Sequence, residues 1–350
     1  MRVAIMGAGA AAFAAAAFLA ENGHEAVLWS PSGMSTEALA AGAPLVSEGK
    51  IAGEFRPGVA PSCAAALDRA DAVLIALPAN GHKRVMDAMA RLLSPGQPVI
   101  ISSHASLGAF YLSRLLAARG IEVPIIALST TILRSRRTGP SMVKIATIRS
   151  KVDVATLPRR LADDGLTLCR ALFGDRFRAV DGLLAVSLSN VNPQSHMALA
   201  LANFTRMEKG EAWGQSEHLT MAVGRLLEAI DAERLALAAA FGLTVRTMRE
   251  HYSLTYGVPD APLGETSRML AQTQPTTLGP ATIDTRYTLE DVPFGLLPLA
   301  ELGRLAGVAM PLHQAGLAIF SGLYGRDLAE DNDILPELMK SGLSREQLLA

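Results

Sequence analysis

The chain is 350 residues long, half hydrophobic and almost neutral, with 32 basic and 33 acidic residues and a formal charge of -1. That length supports two domains with substantial cores and that apolar content excludes a disordered chain, while the charge balance gives no bulk attraction to nucleic acid or acidic lipid. Cys63 and Cys169 are too few for a disulfide scaffold and fit a reducing cytoplasm, and no apolar stretch reaches membrane-spanning length without a Gly, Pro or charge.

Met1 to Met6 is a short apolar run, followed at once by Gly7-Ala8-Gly9-Ala10-Ala11-Ala12 and a small-residue helix pattern closing at Asn22-Gly23. This is strand, glycine turn and helix, the G-x-G-x-x-A form of a dinucleotide-binding fingerprint, with His24 to Trp29 as the second strand of a βαβ unit. Gly7 permits the tight turn, Gly9 lets backbone N–H groups approach a pyrophosphate, and Ala12 lets the helix lie close to the strand. Arg2 and the alanine-rich stretch superficially resemble a signal peptide. Gly7, Gly9 and Glu21 interrupt it, and its removal would delete the first strand, so it reads as mature structure.

Further along, Ala72 to Leu77 reads as a buried strand ending at Pro78, Val85 to Leu93 as a helix, Val99 to Ser102 as a strand, Leu107 to Arg119 as a helix and Ile125 to Leu128 as a strand. Met142 to Ile148 and Thr167 to Leu172 read as further strands or edge elements. The alternation predicts an α/β, doubly wound Rossmann domain over residues 1–181. After Asp181 strand patterns almost vanish, and Leu183 to Leu201, Leu219 to Phe241, Leu296 to Ala306 and Leu312 to Leu323 carry helical spacing. Residues 182–350 are therefore expected to form a mostly α-helical substrate domain, with the active site in the cleft between the two. The polar segment Tyr256 to Thr285 reads as a functional loop.

Two polar clusters stand out in the helical half. In Ser189 to His196, Asn192 and His196 are four apart and share one helical face, and a histidine so placed can exchange protons near neutral pH. The plainer reading makes Asn192 an N-cap before an N1 proline, Pro193, with His196 a first-turn polar residue. In Asp284 to Pro293, Arg286 stands five residues before Asp291. Arginine suits bidentate recognition of a carboxylate, and an aspartate beside a histidine orients its ring; a solvated helix start is the alternative.

Asn192-x-x-x-His196 followed by Arg286-x-x-x-x-Asp291-Val292-Pro293 resembles the octopine/nopaline (opine) dehydrogenase family. Pro78-Ala79-x-x-His82, Thr131-x-x-Arg134 and Asp231-x-Glu233-Arg234 with Gly242 extend the resemblance over nearly the whole chain. The resemblance implies an NAD(P)H-dependent reductive condensation, in which an amino acid and a 2-oxo acid form an imine that is then reduced. It implies His196 as acid/base, Asp291 as its partner, Asn192 and Thr131 as substrate positioners, Arg286 as the carboxylate clamp, and Pro78, Ala79 and His82 as neighbours of the cofactor. His104 and Arg134 read as loop or cofactor-proximal residues, and no His/Cys/Glu set has zinc spacing.

An acid about twenty residues beyond the glycine turn ordinarily accepts the ribose 2′-hydroxyl of NAD. Here Ser30 and Ser32 occupy that stretch, which favours NADP over NAD, although no arginine follows closely. A related two-domain 2-oxo acid reductase of the ketopantoate or glycerol-phosphate type is the main alternative; it would need a catalytic lysine, and the helical half offers only Lys209 and Lys340. A non-catalytic nucleotide sensor is the third class, and it leaves the His/Asp/Arg constellation without a purpose. Neither the substrates nor the choice between monomer and homodimer is written in the sequence.

Overall fold

The computed structural model describes residues 1–273 and 277–349. By internal contacts the chain forms two compact units, Met1–Ser187 together with the residues from Glu337 onward, and Leu188–Pro336. The expected boundary at Asp181 thus differs from the structure in two ways. The division falls inside helix Leu183–Ser189, between Ser187 and Leu188, and the last helices, Leu335–Lys340 and Arg345–Leu349, go largely with the first unit, where Leu338, Leu343 and Leu348 are buried.

The first unit holds twelve strands: β1 Arg2–Met6, β2 Glu25–Trp29, β3 Leu45–Gly49, β4 Gly53–Phe55, β5 Gly58–Val59, β6 Ala72–Ile75, β7 Val99–Ile101, β8 Ile125–Leu128, β9 Leu133–Gly139, β10 Met142–Ile148, β11 Val152–Leu157 and β12 Phe177–Ala179. Eight form one sheet in the order β12-β11-β8-β7-β6-β1-β2-β5, parallel except between β8 and β11. The order reverses between β1 and β6, the switch point of a doubly wound sheet, and the strands there are continuous apolar runs because both faces are covered. Met142 to Ile148, expected as a strand or edge element, is β10 of a second sheet, β4-β3-β10-β9, whose other strands are charged, short or glycine-bearing and were not foreseen.

Helix Ala10–Glu21 contacts strands of both sheets, and every residue from Ala12 to Leu19 is buried. A helix covered on all sides must be apolar all round, and alanine lets backbones approach closely. Its entry is fixed by Gly7, which has φ +138°; a Cβ there would lie 2.2 Å from the Ala76 carbonyl oxygen at the end of β6.

Thr167 to Leu172, expected as a strand, lies inside helix Ala162–Phe173, whose buried Gly165, Cys169 and Leu172 follow helical spacing. In the second unit, Leu183 to Leu201 is not one helix but two, Leu183–Ser189 and Asn192–Ala202. The expected loop Tyr256 to Thr285 contains helix Leu263–Thr273, and its residues 274–276 lie outside the described residues. That helix was hidden because its buried face sets only Leu263 and Leu270 among Gly264, Thr266 and Ser267. The small residues serve contact: a Cβ on Gly224 of helix Met221–Ala240 would sit 2.5 Å from the Gly264 nitrogen. No helix among the described residues is long and apolar enough to cross a membrane.

Two histidines are entombed in the first unit. The His82 Nε2–H donates to the Leu77 carbonyl at 3.0 Å, while Nδ1 has no partner. His104 accepts the Ala109 N–H on Nε2 at 3.1 Å and donates from Nδ1 to the Ser187 hydroxyl at 2.9 Å, which in turn donates to the Leu183 carbonyl. Burial, partly offset by the Leu77 carbonyl, pushes the His82 pKa from 6.5 down to about 4. Burial and the nearby His82 push His104 to about 3. Both rings stay neutral in the folded chain where they would be protonated in the unfolded one, so the unfolded state takes up protons below pH 6.5. The stability they confer is complete above about pH 6.5 and is lost progressively as pH falls toward 4. Urea titrations should show stability falling by roughly 1 kcal/mol per pH unit or more in that window. His82→Leu should flatten the slope, and an unchanged slope would remove His82 from this account.

Candidate active site

In the second unit, helix Asn192–Ala202 begins with Asn192 and Pro193, but the cap is one step earlier than the sequence suggested. The N-cap position is Val191, which has no side chain able to cap, and the Asn190 side-chain oxygen accepts the N–H of Asn192, the first helical residue, at 3.1 Å. The Asn192 amide has no hydrogen-bond partner among the described residues and stands one turn before His196. The opposing segment is a short helical turn, Arg286–Leu289, started by the Thr285 hydroxyl, followed by one wide π-helical turn at Val292–Leu296. Such turns often mark functional positions because they re-aim the residues before them. Gly295 is the point of closest approach: a Cβ there would lie 2.4 Å from Cγ of Pro193, so the two segments meet only because Gly295 has no side chain.

That approach brings His196 and Asp291 together across 95 residues, with Nδ1 2.7 Å from Oδ2. The carboxylate holds the proton on Nδ1, which leaves Nε2 as the basic atom of the neutral ring. Tyr287 stacks on the imidazole, with ring centroids 3.6 Å apart and planes within 10°. It fixes the plane in which Nε2 points and offers a π face to the imidazolium. Gln215 donates to the Tyr287 hydroxyl at 2.7 Å, leaving the phenolic proton for another acceptor. Burial pushes the Tyr287 pKa up to about 12, though Arg286 and Gln215 oppose it, so the phenol stays neutral. Behind His196, the Ser195 and Tyr252 hydroxyls lie 3.4 Å apart, and burial raises the Tyr252 pKa further.

Arg286 has its Nε 3.5 Å from Glu290 and 3.9 Å from Asp291, with just over half (54%) of its side chain exposed. Burial works against its charge, but Asp291, Glu290 and Tyr287 more than compensate and raise its pKa. Its terminal amino groups have no acceptor among the described residues, so the fork is open to an incoming carboxylate. The site therefore gathers an imidazole, a carboxylate and a guanidinium within one unit. Sequence reasoning missed Tyr287, Tyr252 and Gln215. Tyr287 was within reach, being the residue after Arg286, but nothing local says which way its ring faces.

Other candidates have structural duties. Asp231 and Arg234 form a buried pair; Arg234 also donates to the Leu188 and Arg246 carbonyls, and Asp231 accepts the Met248 N–H at 2.7 Å. Glu233 accepts the Leu312 and His313 N–H groups and the His313 Nδ1–H at 2.7 Å, so it caps helix Pro311–Tyr324. His313 then accepts from the Gln194 amide at 3.1 Å. Gly242 has φ +72° and lies just past the end of helix Met221–Ala240. Lys209 is exposed, and so is Lys340, which pairs loosely with Glu337 in the first unit. Among the described residues no three His, Cys, Asp or Glu side chains gather as a metal site.

In the first unit, the turn Gly7 to Ala12 fits a dinucleotide phosphate. Gly9 precedes helix Ala10–Glu21 with no side-chain cap and no acid in the first turn, and a Cβ on Gly9 would meet nothing within 4 Å. The bare N–H groups of that turn are free for an anion. Ala8 is buried and Ala10 and Ala11 are partly exposed, while Ala12 is fully buried. Ser30 is half-buried and Ser32 exposed in the loop after β2. Pro78 is exposed and Ala79 buried after β6, and His82 is the enclosed residue described above. Thr131 is partly exposed and gives its carbonyl to Arg149, and Arg134 is exposed on β9.

Comparison with known proteins agrees with this chemistry. The family described as NAD/NADP octopine/nopaline dehydrogenase, alpha-helical domain, matches residues 179–324, and the N-terminus of NAD-dependent glycerol-3-phosphate dehydrogenase matches residues 2–134. An opine dehydrogenase from Arthrobacter sp. (strain 1C) is 33% identical over 348 residues, covering 97% of this chain and 96% of that protein. A glycerol-3-phosphate dehydrogenase from Maricaulis maris is 27% identical over 69% of this chain and 71% of its own. Among solved structures, octopine dehydrogenase with NADH and L-arginine has a TM-score of 0.78 at 18% identity, covering 93% of this chain and 90% of that one. Yersinopine dehydrogenase with NADP+ has 0.72 at 17%, covering 97% and 98%. The chain belongs to the octopine/nopaline dehydrogenase family of NAD(P)-dependent oxidoreductases acting on CH–NH bonds.

Proposed function

We propose that this protein condenses an amino acid with a 2-oxo acid, using His196 as the proton carrier and NADP(H) in preference to NAD(H). The observation that supports it most is the His196–Asp291 contact at 2.7 Å, with Tyr287 stacked on the ring and Arg286 beside the carboxylate. Relatives point the same way, since octopine dehydrogenase has been solved with L-arginine and with pyruvate.

The amine adds to the keto carbon to give a carbinolamine, which must lose its hydroxyl as water before an imine exists. Hydroxide is a poor leaving group, so a proton has to arrive as the C–O bond breaks. His196, protonated on Nε2, supplies it, and Asp291 stabilises the cation while it lasts and keeps Nδ1 protonated afterwards. NADPH held on the Gly7 to Ala12 turn would supply the hydride that reduces the C=N bond of the imine to a secondary amine. In the reverse direction Nε2 takes a proton from water attacking the imine. Arg286 holds a substrate carboxylate through its fork, while Asn192 and Thr131 act as polar positioners. The preference for NADP rests on Ser30 and Ser32 standing where an acid would repel a 2′-phosphate.

A screen of amino acids against pyruvate, glyoxylate, oxaloacetate and 2-oxoglutarate should show nicotinamide oxidation only when both components are present. Oxidation with an oxo acid alone would identify a hydroxy-acid reductase instead. His196→Ala should lower kcat by about two to four orders of magnitude with nucleotide affinity unchanged, and near-normal turnover would end the assignment. Arg286→Lys should chiefly raise KM for one carboxylate substrate, because a point charge does not replace the planar fork; an equal fall in kcat with KM untouched would argue against a clamp. Gly9→Leu should abolish nucleotide binding yet leave the melting temperature nearly unchanged, since no protein atom lies where the new Cβ would be. Retained affinity would move the phosphate site elsewhere.

A further inference from the structure

The stretch after β2, Ser30-Pro31-Ser32-Gly33-Met34-Ser35-Thr36, has no acid to bind a ribose hydroxyl and no base to bind a phosphate. An absent repulsion explains why a 2′-phosphate would be tolerated. It does not explain selection, which needs positive charge at that place.

The charge comes from the second sheet, more than a hundred residues further on. On β9, Arg134 and Arg136 are exposed, whereas Arg137 pairs across the ladder with the fully buried Val143 and turns inward with it. Its guanidinium lies over the Phe13 ring, 4.4 Å from the centroid, on the helix that follows the glycine turn. One terminal nitrogen donates to the Ala8 carbonyl at 3.1 Å and to the Ser35 carbonyl at 3.4 Å. The remaining donors reach the Gly139 and Pro140 carbonyls of its own hairpin. Arg137 thus touches both segments that flank the adenosine ribose in this fold, the glycine turn and the loop after the second strand.

Every one of these acceptors is a neutral carbonyl, and no carboxylate lies within ion-pair distance of Arg137 among the described residues. Carbonyls orient a guanidinium but leave its full charge uncompensated. Arg137 is only partly buried, and its bonds to the Ser35 and Pro140 carbonyls lie on the exposed side, where the oxygens of an incoming phosphate can exchange for them. The stack on Phe13 holds the plane of the fork, which a lysine would not reproduce.

We propose that Arg137 is the residue that selects NADP(H) over NAD(H), by pairing with the 2′-phosphate beside Ser30 and Ser32. The proposal rests on the NADP reading above. The chief competing role is a brace that only joins Ala8 to Ser35, or a contact to the pyrophosphate that both nucleotides share. Either would affect NADH and NADPH alike.

The test is calorimetric titration of the full-length protein and of R137Q and R137K with 2′,5′-ADP and with 5′-AMP, which carry no nicotinamide and report binding without turnover. The wild type should bind 2′,5′-ADP more tightly than 5′-AMP. R137Q should lose about ten- to a hundredfold in affinity for 2′,5′-ADP, the range for one charge-assisted contact, and less than about threefold for 5′-AMP. R137K, which keeps the charge and the stem and serves should R137Q not fold, should lose several-fold for 2′,5′-ADP alone. A wild type that does not favour 2′,5′-ADP would overturn the NADP reading and this proposal with it. A wild type that does, combined with equal losses for both ligands or no loss in the variants, would leave the NADP reading standing and overturn the role of Arg137.

Discussion

The helix Ala10–Glu21 is confined between two sheets, and much of the first unit follows from that confinement. A buried helix has no solvent face on which to place charge, so its residues are almost all alanine, phenylalanine or leucine. Alanine keeps the strands close, and the closeness demands Gly7, whose backbone runs against the Ala76 carbonyl. The same packing makes Phe13 a platform for Arg137, so the element that presents bare N–H groups to a phosphate also carries a cation near its start.

In the second unit the corresponding constraint is the contact of Gly295 with Pro193. Histidine and aspartate separated by 95 residues can share a proton only if their backbones are held at a fixed distance. The missing side chain at Gly295, the proline ring and the wide turn at Val292–Leu296 achieve this before either functional group is considered. Around that frame the structure spends its buried polar pairs on rigidity. Asp231 with Arg234, and Glu233 with His313 and Gln194, tie helix ends to one another rather than to a substrate. A pair of side chains is only as accurately placed as the elements that carry it, and those ties supply the accuracy.

Much of this was legible in the chain. Short apolar runs marked β1, β2, β6, β7 and β8, and the glycine turn lay where its spacing put it. His196 and Asp291 stand together as the paired motifs led one to expect. What was not legible has a common cause. In the second sheet only β10 carried an apolar pattern; β3, β4 and β9 are charged or glycine-bearing and pack against the alanine helix, so their own sequence carries little pattern. Helix Leu263–Thr273 buries Leu263 and Leu270 beside Gly, Thr and Ser, because close backbone approach rather than side-chain bulk fills the space against Gly224. Asn192 looked like a cap, but it is the first helical residue after Val191, and its N–H goes to the Asn190 side chain. Tyr287 and Arg137 were visible as residues and invisible as neighbours, since stacking is a tertiary relation.

The chain leaves the first unit after Ser187 and returns to it at Glu337. Arg114 and Arg159 donate to the Leu338 and Leu349 carbonyls, and Leu338 and Leu348 are almost wholly buried. The helical unit is therefore an insertion within the nucleotide-binding one. On a ribosome the strands of the large sheet emerge early, yet the residues that seal them are made only after some 150 others have intervened. Domains are commonly finished in the order in which they are synthesised. Here the unit begun first is closed last, so a stop or a tag placed just after the helical unit would strike the dinucleotide fold rather than the part of the chain it follows.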